Sequence, residues 1–85
     1  MRPALFLDRD GVIIENRDAY VRSWEDVAFL PGALRALAAL SASRFAIVIV
    51  TNQSAVGRGI IPLAQAQAIN QGVVDQIEKS GGRVD

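Results

Sequence analysis

Four blocks of apolar residues organise the chain, and their spacing separates two strands from two helices. Leu5 to Leu7, with a start near Pro3, is apolar at every position. Phe45 to Val50 is the longest such run, and four of its six residues are β-branched. Uninterrupted short runs of this kind read as strands buried on both faces. In the other two blocks the apolar residues recur at helical intervals. Leu34, Leu37 and Leu40, with Ala38 between them, predict a helix from Ala33 to about Ser41, introduced by Pro31-Gly32. Ala66, Ile69, Val73 and Ile77 predict a second helix from Pro62 to Lys79. Pro62 suits the first helical position, and Gly81-Gly82 suits a left-handed cap.

Between these blocks, Val12 to Ile14 is expected to be a short extended piece. Residues 15–30 are mixed and polar and read as a long surface excursion. Arg83-Val84-Asp85 reads as the start of a third strand. Strands alternating with helices predict an α/β fold, a Rossmann-like parallel sheet with right-handed crossovers. Two or three strands are few for such a sheet. Residues 1–85 are therefore expected to be a portion of a single, larger domain.

Composition narrows the chemistry. The 85 residues include nine acidic and nine basic side chains, with no Cys and no His. That excludes a disulfide framework, a thiolate zinc site and a His-based triad within these residues. A formal net charge of zero disfavours binding to nucleic acid through overall positive charge. No apolar run approaches the length of a signal sequence core or a membrane span. The expectation is a cytoplasmic protein with no membrane and no nucleic-acid partner.

In a parallel α/β sheet, ligands bind beyond the carboxyl ends of the strands. Two polar clusters fall there, Asp8-Arg9-Asp10-Gly11 and Thr51-Asn52-Gln53-Ser54. Asp8 and Asp10 are two residues apart, which in an extended segment directs both side chains the same way. Paired carboxylates repel unless a cation lies between them or one is protonated. A hard cation such as Mg²⁺ would relieve the repulsion and let a carboxylate approach a phosphate. One Asp would then attack phosphorus while the other shuttles a proton. Thr51 offers a hydroxyl, the following loop offers backbone N–H groups, and Asn52, Gln53 and Arg58 offer further donors to a phosphoryl group.

Each cluster also has a plainer reading. Asp-x-Asp-Gly after an apolar run serves as a turn, and Thr-Asn after a strand is commonplace. Arg9, Arg17 and Arg58 read equally as solvated surface charges, and Tyr20 and Trp24 as packing aromatics. An EF-hand loop does not fit, because Gly11 comes too early and Ala19 stands at the bidentate acidic position. Gly57-Arg58-Gly59 is neither a dinucleotide fingerprint nor a P-loop.

Together the clusters are more specific than either alone. Leu5-Phe6-Leu7-Asp8-Arg9-Asp10-Gly11-Val12-Ile13 resembles the first motif of the haloacid dehalogenase (HAD) superfamily of phosphatases. Val48-Ile49-Val50-Thr51-Asn52-Gln53-Ser54 resembles its second. Ala19-Tyr20-Val21, Phe29-Leu30-Pro31-Gly32 and Gly57-Arg58-Gly59 extend the likeness toward the family of heptose 1,7-bisphosphate and histidinol-phosphate phosphatases. The resemblance implies a phosphatase acting on a small phosphorylated metabolite. It implies Asp8 as nucleophile and Asp10 as general acid and base. Asp8 and the Asp10 carbonyl would bind Mg²⁺, and Thr51 and Asn52 would hold the phosphoryl group. Arg9 belongs to the motif. Arg17, Tyr20, Gln53, Ser54 and Arg58 would face the substrate. The family also requires a Lys and one or two acidic metal ligands from later motifs, which this chain does not contain. Its heptose-bisphosphate branch carries a Cys/His zinc loop, for which there are no ligands here. An inactive fragment is thus the competing expectation. Substrate choice and oligomeric state stay open.

Overall fold

The structure, a computed structural model, describes residues 3–51 and 54–85. Strand β1 (Ala4–Asp8) pairs in parallel with β2 (Ala46–Val50), in register from Ala4 opposite Ala46 to Asp8 opposite Val50. Helix α1 (Ala33–Leu40) makes the crossover between them. A single turn, α2 (Ser54–Gly57), and the long helix α3 (Leu63–Lys79) follow β2.

Both helices bury the faces that periodicity assigned. Leu37 of α1 and Ala66, Ile69, Val73 and Ile77 of α3 are buried. They pack with Ile47, and with Leu7 and Ile49 around them, into one core that also takes in Ile13, Ile14 and Val21. Truncating Ile47 or Ile77, each 0% exposed, to Ala should cost about 2–5 kcal/mol.

Three expectations need correction. First, the strands are not buried on both faces. Their alternate residues, Phe6, Val48 and Val50, lie on the side away from this core, and Phe6 is 67% exposed. An unbroken apolar run cannot reveal that only one layer of helices is present. Second, Val12 and Ile13 lie in a tight turn, and only Ile14 pairs in strand fashion, as an isolated bridge to Phe29. The Ile13 and Ile14 N–H groups both donate to the Arg9 carbonyl, at 2.9 and 3.0 Å. Third, Pro62 is the residue before the helix and not its first. Its backbone is extended (φ −67°, ψ 154°), and its carbonyl accepts from Gln65 and Ala66.

The left-handed cap forms as expected. Gly81 has φ +94°, its N–H donates to Glu78, and the Gly82 N–H donates to Ile77. This closes the last turn of α3 in a Schellman motif. Beyond it the chain lies along the second edge of β2. The Asp85 N–H donates to the Ile47 carbonyl at 2.8 Å, and the Asp85 carboxylate accepts the Ile47 N–H at 2.9 Å. Arg83 brackets this junction, donating to the carbonyls of Ser41, Ser43 and Phe45 and pairing with Asp85.

Segment 15–30 is more closely anchored than a surface excursion. Its ends zip together through Glu15 N–H to Ala28 O and Leu30 N–H to Ile13 O, at 2.7 and 2.9 Å. The Trp24 ring lies over Gly72 of α3, where an added Cβ would come within 2.6 Å of it. Gln65 of α3 donates to the Arg22 carbonyl.

Candidate active site

The site begins where β1 ends. Asp8 is the last strand residue and is exposed, on the register pair with Val50. The next N–H, that of Arg9, donates to the Val50 carbonyl at 3.1 Å. That bond joins the two polar clusters at one end of the sheet, as the parallel arrangement demands. The chain then turns sharply. The Gly11 N–H donates to Ile14, and the Arg9 carbonyl takes both Ile13 and Ile14; the Asp10 carbonyl accepts none of these bonds. Gly11 has φ +82°, and an added Cβ would meet the Asn16 amide at 2.8 Å. The positive φ is what calls for glycine there, since the exposed Asn16 side chain can move aside.

A polar hollow of about 370 Å³ opens at this end, lined by Asp8, Arg9, Asp10, Asn16 and Val50. Among the described residues, none donates a hydrogen bond to the Asp8 carboxylate and none forms an ion pair with it. Asp10 differs. Arg9 Nε donates to its Oδ1 at 2.7 Å and Nη2 to its Oδ2 at 3.2 Å. Arg9 Nη1 donates to Oδ1 of Asn70 on α3 at 2.6 Å. The solvated-charge reading of Arg9 is therefore wrong, since the residue is only 9% exposed.

The remaining expected residues divide. Thr51 follows β2 and lines a separate hollow of about 180 Å³ with Arg9, Asn70 and the apolar Ile49, Val73, Val74 and Val84. Arg9 thus lies between the Thr51 side and the carboxylate side. Asn52 and Gln53 lie outside the described residues, and Ser54 is the first residue of α2. Arg17 is not among the residues lining the carboxylate hollow. Its guanidinium donates to the Asp26 carbonyl and pairs with Glu15. Tyr20 is half-buried and holds φ +67°, an unusual conformation for a side-chain-bearing residue. Arg58 is exposed in the turn after α2. Asn16 and Asn70 were not among the sequence candidates. Asn16 carries no signal in a polar loop, and Asn70 reads as the solvent face of a helix.

The donors suit a hard cation. Among the described residues nothing engages the Asp8 carboxylate, and the Asp10 carbonyl takes no part in the turn's hydrogen bonds. Among the described residues no group of three acidic, His or Cys side chains comes together. Such a sparse oxygen set matches Mg²⁺, which keeps several waters and takes one or two carboxylates plus phosphate oxygens.

Known proteins resemble the chain in both sequence and structure. It is 40% identical over 84 residues to the D-glycero-beta-D-manno-heptose-1,7-bisphosphate 7-phosphatase of Rhodopseudomonas palustris, covering 99% of this chain and 46% of the relative. To the D-glycero-alpha-D-manno-heptose-1,7-bisphosphate 7-phosphatase of Mycobacterium tuberculosis it is 44% identical, covering 95% and 43%. The crystal structure of the Bordetella bronchiseptica heptose 1,7-bisphosphate phosphatase, complexed with magnesium and phosphate, superposes with a TM-score of 0.91 at 37% identity. In fold the chain is similar to HAD-like phosphatases. A solved HAD-like protein from Mesorhizobium loti matches with a TM-score of 0.87 at 36% identity. No family model matches the chain. It spans less than half the length of these HAD-like relatives, 46% of the Bordetella chain and 40% of the Mesorhizobium one. No helix among the described residues is long and apolar enough to cross a membrane.

Proposed function

We propose that the chain carries the nucleophile and the phosphoryl-positioning edge of a Mg²⁺-dependent phosphatase. The substrate class is a small sugar phosphate, with heptose 1,7-bisphosphate favoured by the names of the relatives. One observation carries the proposal: an Asp8 carboxylate without a partner among the described residues, at the carboxyl end of a parallel strand, facing a polar hollow. Asp8 attacks phosphorus, forming an aspartyl-phosphate as the P–O bond to the sugar breaks. Asp10 gives its proton to the departing sugar oxygen and later takes one from the water that hydrolyses the intermediate. Thr51 and Asn52 hold the phosphoryl oxygens. Asp8 and the Asp10 carbonyl would hold Mg²⁺, which supplies charge neutralisation for the approach of carboxylate to phosphate.

The test is phosphate release from heptose 1,7-bisphosphate, with and without a chelator. Release that stops on chelation, and that Asp8→Asn abolishes while the circular dichroism spectrum is kept, is the expected result. Turnover that survives Asp8→Asn would sink the assignment. Chelator-insensitive background alone from wild type would establish the inert reading for this chain.

A further inference from the structure

We propose that Arg9 and Asn70 form a positioning relay for Asp10. The α3 amide fixes the guanidinium, and the guanidinium fixes the carboxylate at the edge of the polar hollow. The functional part of this inference rests on Asp10 taking a proton from the hydrolytic water, as proposed above.

Adjacent residues on a strand point to opposite faces. The bend after Asp8 breaks that rule, so Arg9 can fold back onto its own neighbour. It does so with two N–H groups on two oxygens, 2.7 and 3.2 Å. A fork of this kind fixes the plane of a carboxylate, whereas a single contact leaves it free to rotate. The Asp10 side chain is 36% exposed. An ion pair between two mobile side chains at that exposure would hold little. The Arg9 side chain, however, is only 10% exposed, and its third donor is taken by Asn70 at 2.6 Å, sixty-one residues away in sequence. The chemistry of that third partner matters. A second carboxylate would divide the guanidinium charge, but a neutral amide oxygen orients Arg9 and leaves the full charge to Asp10. Asn70 is itself carried on the turn of α3 next to buried Ile69, so the relay runs from the hydrophobic core to the hollow.

Side-chain NMR on the 85-residue chain tests the relay without recourse to turnover. The expected wild-type result is an Arg9 Nε–H signal protected from water exchange. Asn70→Leu should speed that exchange at least about tenfold and shift the Asp10 carboxyl carbon. Asn70→Asp, which keeps an acceptor oxygen, should recover most of the protection. Arg9→Lys keeps the charge but loses the fork, and should release Asp10 while the amide spectrum of the core is retained. Should Asn70→Leu fail to fold, Asn70→Ser takes its place. Unchanged Arg9 exchange together with an unchanged Asp10 carbon overturns the relay. In a phosphate-release assay, loss of the relay should lower kcat by roughly 10- to 100-fold with little change in KM. An unaltered kcat overturns the positioning role. Absence of chelator-sensitive release from wild type overturns the phosphatase reading instead, and the NMR comparison still decides the relay.

Discussion

At the residue scale, the turn after Asp8 rests on a glycine in the left-handed region. Gly11→Ala must place a side chain at φ +82° and against the Asn16 amide at 2.8 Å. The strain of a left-handed alanine alone should cost about 1–2 kcal/mol. Urea unfolding should show this as a lower midpoint with an unchanged slope. The carboxylates were visible in the sequence because two Asp residues separated by one position at a strand end form a recognisable pattern. The task of Arg9 was not visible. Its partners are the next residue, reached only because the backbone bends, and an amide on a helix near the other end of the chain. Asp-Arg-Asp-Gly looks the same whether that guanidinium is solvated or buried.

At the element scale, spacing was a good guide wherever one face met the core. Leu37 in α1 and Ala66, Ile69, Val73 and Ile77 in α3 are buried where the 3.6-residue period put them. Segment 15–30 resisted such reading because its order comes from α3. A tryptophan lies over a helical glycine there, and neither residue announces the other. Gly72→Ala should push the Trp24 ring away, since the new Cβ would come within 2.6 Å of it. Trp24 is the single tryptophan, so its emission should move to longer wavelength, and the loop should become more sensitive to proteolysis. An unchanged emission maximum would mean that the ring does not lie on α3 in solution.

At the scale of the whole molecule, one sheet and one layer of helices give a slab 18 Å in its thinnest direction. The radius of gyration, 13.1 Å, exceeds the value of about 12 Å expected for a compact chain of this length. Alternation along the strands would have revealed the bare face, but every inner and outer residue before Asp8 is apolar. Phe6 at 67% and Val50 at 47% exposure, beside a β1 edge with no strand partner among the described residues, form an adhesive surface. The isolated chain should therefore self-associate with rising concentration in sedimentation experiments. Phe6→Lys should weaken that association and leave the helical content unchanged.

The bracket made by Arg83 sits at the opposite end of β2 from the carboxylates. It ties three carbonyls of the α1–β2 connection to the chain beyond α3, while Asp85 holds both the N–H and the carbonyl of Ile47. The strand pair is thus clamped at its entrance and held at its exit by the Arg9 to Val50 bond. Breathing motions should then be graded along the sheet, with the Ile47 amide exchanging slowly and that of Arg9 faster. The faster-exchanging end should be the one that carries Asp8. On the proposed function, that end is the one that would admit and release a phosphate.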